Sequence, residues 1–346
     1  MSDPQALAEL TTIRVGGVPE RIRVASSRDE LLSEARAMWR EADQWLILGG
    51  GSNLVVSDEI ADFQVLHVQS KGVTTELLAD GAVRLRVQAG ENWDDLVAGT
   101  VEGGLSGLEA LSGIPGSVGA APIQNIGAYG VEVSSLITCV EFLDYLTGEV
   151  QILTTDQLEF GYRDSVFKRG LQGVITWVEF ELQNLGGESQ PIVFEQLAKA
   201  LGVSVGAKLP LREVRGAVLN LRAAKGMVLD SSDADTYSCG SFFTNPIVSD
   251  RLARTLPADA PRWEVDGSDG LKVKLSAAWL IEQAGIPKGF SIAGSGAAVS
   301  GKHTLAITNR GSATAAEILQ LAEFIQLRVA NQFGVNLQPE PNIVGF

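Results

Sequence analysis

Histidine, cysteine and positive charge are what this sequence has least of, and each shortage closes off a class of chemistry. The only histidines are His67 and His303, in neither an HxH nor an HExxH arrangement, so no metal site is expected. His67 alternates with apolar residues in VLHV, as a strand residue does. His303, in SGKHTLAIT, sits where a strand begins and reads either as a cap or as a ligand contact. The two cysteines, Cys139 and Cys239, belong to no CxxC or Cys/His pattern and read as packed, reduced thiols of a cytoplasmic protein. Lysine and arginine number 27 against 42 acidic residues, a formal charge of −15, with no basic block. That argues against nucleic acid and against an anionic membrane surface as partners. The start, MSDPQALAEL, lacks the basic and apolar regions of a signal peptide. No uncharged apolar run approaches the ~18 residues of a membrane span, so no membrane insertion is expected. What remains is a soluble globular composition, 45% hydrophobic and 20% charged over 346 residues, enough for two or three domains.

Glycine, at 38 residues, is plentiful, and it gathers in two places. Residues 107–130, GLEALSGIPGSVGAAPIQNIGAYG, carry no charge except Glu109 and are too irregular for a helix or a strand. Such backbone exposes a run of N–H donors and lets a ligand approach with no Cβ in the way, which suits a diphosphate. Composition alone equally allows a buried connection between sheets. The second place is Gly49-Gly50-Gly51-Ser52-Asn53, into which the strand-like residues 45–48 run directly. It is neither GxGxxG nor followed by GK[ST], so neither a Rossmann nor a P-loop site is supported.

Strand alternation marks residues 21–25, 65–68, 74–78, 83–89, 136–145, 149–153, 174–182 and 305–308, with turns at Asp80-Gly81 and Thr147-Gly148. Helical spacing marks 29–41, 93–101 with Asn92 as N-cap, 194–201, 213–225, 276–284 and 313–333. Arg212, Arg215, Arg222 and Lys225 form the one basic concentration. A solvated helix face is the favoured reading for all of them except Lys225, which ends the helix. Three short stretches set a polar or charged residue among aromatic and small ones: Tyr162-Arg163-Asp164, Gly240-Ser241-Phe242-Phe243 and Pro339-Glu340-Pro341. Taken singly, each has a structural explanation. Arg163 pairs with Asp164; Ser241, or the better placed Asn245, caps a helix beginning near Pro246; Glu340 is a tail residue.

Taken together the stretches resemble one family, the UDP-N-acetylenolpyruvoylglucosamine reductases, flavoenzymes of peptidoglycan precursor synthesis. The resemblance runs through Leu10-Thr11-Thr12-Ile13-Arg14-Val15-Gly16-Gly17, Leu48-Gly49-Gly50-Gly51-Ser52-Asn53-Leu54, residues 112–130, Tyr162-Arg163-Asp164-Ser165, residues 240–246 and Pro339-Glu340-Pro341. QNIGAYG and GSFFTNP are long, unusual strings in the family's order. The resemblance implies an α+β chain: a two-subdomain FAD-binding fold of the vanillyl-alcohol-oxidase type, plus an α+β substrate-binding domain. The expected divisions are 1–72 and 73–226 for the FAD-binding subdomains, the latter joined by 334–346, and 227–333 for the substrate domain.

The reaction so implied reduces the enolpyruvyl ether of UDP-N-acetylglucosamine to UDP-N-acetylmuramate, with NADPH as hydride donor and FAD, held non-covalently, as carrier. Hydride passes from flavin N5 to C3 of the enolpyruvyl group, and the charge left at C2 spreads into the adjacent carboxylate. Such a site needs a fixed cation, hydrogen bonds at that carboxylate and an acid for C2. By resemblance Arg163 is the clamp, Glu340 a carboxyl of raised pKa that donates a hydrogen bond, and Ser241 the acid, activated by a water chain or by nearby donors. The cofactor residues are Arg14, Gly49, Gly50, Gly51, Ser52, Asn53, Ser112, Gly113, Ile114, Pro115, Gly116 and Gly119 around the diphosphate. Asn125, Gly127, Ala128 and Tyr129 lie near the flavin, Tyr129 either contacting the ring or simply packed. Lys225, Asn245 and Tyr162 touch the sugar nucleotide. Where many members carry a tyrosine over the diphosphate, this chain has Phe194, which can pack but cannot hydrogen-bond. A monomer is expected. The competing readings are another flavoprotein oxidase on the same fold and a non-catalytic binder of FAD or a nucleotide sugar. Neither needs Arg163, Ser241 and Glu340 together.

Overall fold

The computed structural model describes residues 5–265 and 271–346; the first four residues of the start discussed above lie outside them. The chain divides into a three-segment unit, Met1–Val18, Ser52–Ile60 and Lys225–Phe346, and a two-segment unit, Pro19–Gly51 and Ala61–Ala224. The architecture is α+β.

Two sheets make up the two-segment unit. In the first, Phe63–Val68 lies between Arg21–Ala25 and Gln44–Leu48, all parallel. The right-handed β-α-β logic of parallel pairing is met by helix Arg28–Glu41. Its start is capped by Ser27, which accepts the Glu30 amide. Its buried face, Leu31, Leu32, Ala35 and Met38, has the i, i+3/i+4, i+7 spacing of a one-sided helix. The second sheet is antiparallel, in the order Val150–Thr154, Ile137–Asp144, Gly173–Asn184, Val83–Gln88, Val73–Leu77. Alternate residues of Val83–Gln88 point inward, Val83, Leu85 and Val87, to a core that includes Trp93, Phe142 and Phe180. Each such side chain contributes about 1.5–3 kcal/mol when fully buried. Helix Trp93–Glu102 is capped by Asn92, whose side chain accepts the Asp95 amide. The buried Trp93 ring donates its Nε1–H to Leu111 O at 3.1 Å, which fastens the helix to the long glycine stretch.

The three-segment unit has its core on helix Ala315–Phe333, whose Ile318, Leu321, Ala322, Ile325 and Val329 are buried. A reciprocal Thr314/Glu317 capping box opens this helix, and Gly334, left-handed at φ 65°, closes it. Two small antiparallel groups pack with it: Ile247–Ser249, Lys272–Leu275 and Arg262–Val265, and the hairpin Ala297–Val299 with Ile307–Asn309. The helix expected near Pro246 begins only at Asp250, as the short Asp250–Ala253, and is capped by Ser249 rather than by Ser241 or Asn245. The β-branched Ile247 and Val248 instead pair with Lys274 and Val273, and Pro246 accepts the Leu275 amide. The chain's end returns as strand Asn342–Val344, parallel to Leu54–Val56. Among the described residues no helix is long and apolar enough to cross a membrane.

Candidate functional site

In the two-segment unit the strand Gln44–Leu48 delivers Gly49–Gly51 against the long glycine stretch, backbone to backbone. A Cβ on Gly50 would stand 2.6 Å from Gly116 Cα, and one on Gly49 2.3 Å from Ser117 Oγ, closer than real atoms pack. The two glycine stretches thus meet in one continuous surface of bare backbone rather than as separated walls. Hydrogen bonds from Trp93 N to Gly116 O, Val118 N to Glu91 O and Gly119 N to Ala89 O hold that surface in place. A side-chain-free face of this kind fits a dinucleotide diphosphate. Three of the expected cofactor residues also have contacts within the unit. Ser112, fully buried, donates its hydroxyl to Glu109 O at 2.7 Å. The Gly113 amide donates to Asp94 Oδ1 at 2.6 Å. Ile114 packs against the unit's core.

Asp94 stands in the first turn of helix Trp93–Glu102. It also accepts both Arg215 guanidinium donors, at 2.6 and 2.9 Å. Burial pushes its carboxyl up, but Arg215, the Gly113 amide and the charge of Arg222 outweigh that and bring it below the ordinary value. Arg222 is itself deeply buried, pressed below its usual value by desolvation against the opposing pull of Tyr129 and Asp94. The solvated-face reading of this helix, Leu211–Ala223, therefore fails for Arg215 and Arg222. Its pairing partner lies 121 residues earlier, outside any local pattern.

Tyr129 meets Phe194 edge to face, ring centres 5.9 Å apart, and packs on the cluster that includes Ile192, Leu197 and Val218. Burial raises its phenol above the ordinary value, with the charge of Arg222 working against that. Asp164, the neighbour expected to pair with Arg163, pairs with Arg169. The Arg163 fork donates from Nη1 to Asn125 O at 3.3 Å and from Nη2 to Gly127 O at 2.6 Å, and its Cζ sits 5.4 Å over the half-exposed Tyr162 ring. Gly127 is glycine for cause: a Cβ there would stand 2.8 Å from Val131 O and 3.0 Å from Arg163 Nη1.

In the three-segment unit, residues 242–244 run beside 338–340. Glu340 N donates to Phe242 O at 2.9 Å, Thr244 N to Gln338 O at 3.0 Å, and Phe243 pairs with Pro339. Ser241 and Glu340 are thereby carried on adjacent, paired segments. The buried Phe242 and Phe243 rings, 5.3 Å apart, anchor one of them in the core. Asn53 Nδ2 donates to Glu340 O at 3.3 Å and Asn53 O accepts the Asn342 amide at 3.0 Å, so the end of the first glycine stretch braces the carboxyl-bearing strand. Cys239 is buried, and burial pushes its thiol up to about 12; it is inert at neutral pH. Asn245 Oδ1 accepts Ala277 N at 3.0 Å, so it serves the helix Ala277–Gln283 rather than one at Pro246. That orientation turns its amide nitrogen away from the helix. Arg14, at φ 60°, lays its guanidinium 4.7 Å over Tyr237. Asn309, unnoticed in the sequence, donates to Ile13 O and Arg14 O at 3.1 and 3.0 Å and fixes that turn.

Lys225 and Lys288 act together on His303, whose value is lowered to about 4, first by burial and then by the two ammonium charges. Folded His303 is therefore neutral at pH 7, while the unfolded chain takes up its proton below 6.5. Its contribution to stability is full above that pH and is lost as pH falls towards 4, by no more than about 1.4 kcal/mol per pH unit. Thermal unfolding of His303→Gln, followed from pH 7 to 4, should show a shallower loss than the parent; an unchanged slope would assign the loss to His67, also lowered by burial, or to carboxylates.

By unit, the structure brings Gly49, Gly50, Gly51, Ser112, Gly113, Ile114, Pro115, Gly116, Gly119, Asn125, Gly127, Ala128, Tyr129, Tyr162 and Arg163 together in one. It brings Arg14, Ser52, Asn53, Lys225, Ser241, Asn245 and Glu340 together in the other. Among the described residues no group of three or more His, Cys, Asp or Glu is disposed to hold a metal ion.

Comparison with known proteins adds the following. Residues 19–155 match the family described as FAD binding domain, and residues 232–344 the one described as UDP-N-acetylenolpyruvoylglucosamine reductase, C-terminal domain. The UDP-N-acetylenolpyruvoylglucosamine reductase of Leifsonia xyli subsp. xyli is 52% identical, covering 100% of this chain and 99% of its own. That of Saccharopolyspora erythraea is 47% identical over 98% of this chain and 94% of its own. The crystal structure of UDP-N-acetylenolpyruvylglucosamine reductase from Thermus caldophilus aligns with a TM-score of 0.67 at 26% identity, covering 99% of this chain and 98% of that one.

Proposed function

The chain belongs to the UDP-N-acetylenolpyruvoylglucosamine reductase family, with its two-subdomain FAD-binding fold and C-terminal domain; on that premise we propose the reaction and the residue roles. The substrate is the enolpyruvyl ether of UDP-N-acetylglucosamine and the product UDP-N-acetylmuramate, made in the cytoplasm for peptidoglycan synthesis. Non-covalent FAD, when bound, would supply the hydride chemistry between NADPH and C3 of the enolpyruvyl group that no side chain offers. The bare backbone at Gly49, Gly50, Gly51, Gly116 and Gly119 would hold its diphosphate, and Ala128 would lie near its ring.

The rest falls to this chain's own groups. Arg163 holds the substrate carboxylate and the charge that spreads into it from C2, since its fork is always cationic and bidentate. Glu340 acts as a neutral carboxyl donating to the same carboxylate. Ser241 passes its hydroxyl proton to C2. Lys225 and the Nδ2 of Asn245 grip the diphosphate of the sugar nucleotide, and Phe194 covers by packing where relatives use a tyrosine. The observation that supports the reading is the pairing of residues 242–244 with 338–340, which carries Ser241 and Glu340 on adjacent segments.

Purified protein should be yellow with releasable FAD, and stopped-flow absorbance should show bleaching by NADPH and recovery only when the enolpyruvyl sugar is added. Recovery with dioxygen alone would favour an oxidase; a colourless protein that cannot be reconstituted would end the flavoenzyme reading.

A further inference from the structure

Asn125 is a densely hydrogen-bonded side chain of the long glycine stretch. It is fully buried and sits in the left-handed region at φ 47°, where asparagine is among the few residues tolerated besides glycine. Its carboxamide makes three hydrogen bonds. Nδ2 donates to Glu132 Oε2 at 2.9 Å and to Gly161 O at 3.0 Å, and Oδ1 accepts Ser134 N at 3.0 Å. Its main-chain oxygen accepts Arg163 Nη1. One residue therefore holds both the backbone two positions before Arg163 and the guanidinium itself.

The segment it holds is strained. Arg163 has φ 55°, within a tight loop closed by Gly161 N to Asp164 O at 3.0 Å and the reverse bond at 3.2 Å. A long side chain in the left-handed region costs roughly 1–3 kcal/mol and persists only where its surroundings over-determine it. The conformation aims the half-buried Arg163 fork at Asn125 O and Gly127 O. An alanine at 125 would leave Gly161 O and the Glu132 carboxylate without this donor. An aspartate would set a second carboxylate against Glu132.

We propose that Asn125, oriented by Glu132, is a positioning residue for Arg163, not a contact for the cofactor. The proposal rests on the reading of Arg163 as the carboxylate clamp. The test uses the full-length FAD-loaded enzyme with Asn125→Asp, which keeps size, the left-handed preference and the Ser134 acceptor but loses both donors. Sugar-dependent flavin reoxidation should slow by on the order of 10–100-fold, the cost of a small misplacement. Flavin reduction by NADPH and the FAD dissociation constant, read by fluorescence on release, should stay within about 2-fold. In an Arg163→Lys background the same substitution should cost nothing further, because the group it aims is gone.

A full additional loss in that background would overturn the proposal while leaving the clamp intact, as would weakened FAD binding with both half-reactions slowed alike. Near-normal reoxidation by Arg163→Lys alone would instead remove the clamp, and the proposal with it. If Asn125→Asp does not fold, Asn125→Gly keeps the backbone angle and carries the same comparison.

Discussion

Ser241→Ala should reduce its flavin with NADPH at the parent's rate and then fail to turn over the enolpyruvyl sugar, with a loss of roughly 10²–10⁴. The reasoning is local. Ser241 is half-buried, and the two residues after it, Phe242 and Phe243, carry the anchoring of the strand. Removing one oxygen leaves that frame intact, so stability should change by no more than about 0.5 kcal/mol. What disappears is the proposed donor for C2, and the neighbouring Cys239 thiol, with its value near 12 and tied to Leu54 O, does not replace it. Single-turnover absorbance separates the two half-reactions. Slow flavin reduction with normal sugar turnover would show that Ser241 serves the cofactor, and the role proposed for it would be wrong.

Arg163→Lys is expected to cost about 10²–10³ in sugar-dependent turnover, the scale on which a fixed donor to developing charge is lost. Charge is conserved in this variant, so the loss isolates geometry. An ammonium is a compact point charge on a flexible stem and cannot reproduce the planar fork now spread between Asn125 O and Gly127 O. If kcat falls with KM little changed, the interaction belongs to the transition state; a rise in KM alone would make Arg163 a ground-state binding group. Near-normal activity would take it out of the mechanism.

Much of this was readable from the residues, for a physical reason. Bare backbone leaves a mark in the sequence, because only glycine fits where a Cβ would strike Gly116 or Arg163. One-sided burial also leaves a mark, in the alternation of Val83–Gln88 and the spacing along Ala315–Phe333. The misses share a cause. Pro246 before Ile247 looks like the first turn of a helix, yet its strand is decided by Lys272–Leu275, some way along the chain. Asn245 looks like a local cap and serves a helix 32 residues on. Arg215 looks solvated until Asp94 is brought to it. Asp164 looks like the partner of Arg163 because it is adjacent, whereas its ion pair is with Arg169. In each case the deciding partner is supplied by tertiary structure, and the local pattern is at best neutral.

The parallel pairing of Asn342–Val344 with Leu54–Val56 has a consequence for the order in which the protein is made. The two-segment unit has all its residues once Ala224 is added. The other unit must hold its first two segments in waiting while roughly 120 more residues are synthesised, about 6–24 s at the usual pace of a ribosome. A nascent chain halted late in that interval already has the Arg163 loop but lacks Glu340 and the strand Asn342–Val344. The unit that carries Ser241 and Glu340 is therefore completed after the one that carries Arg163.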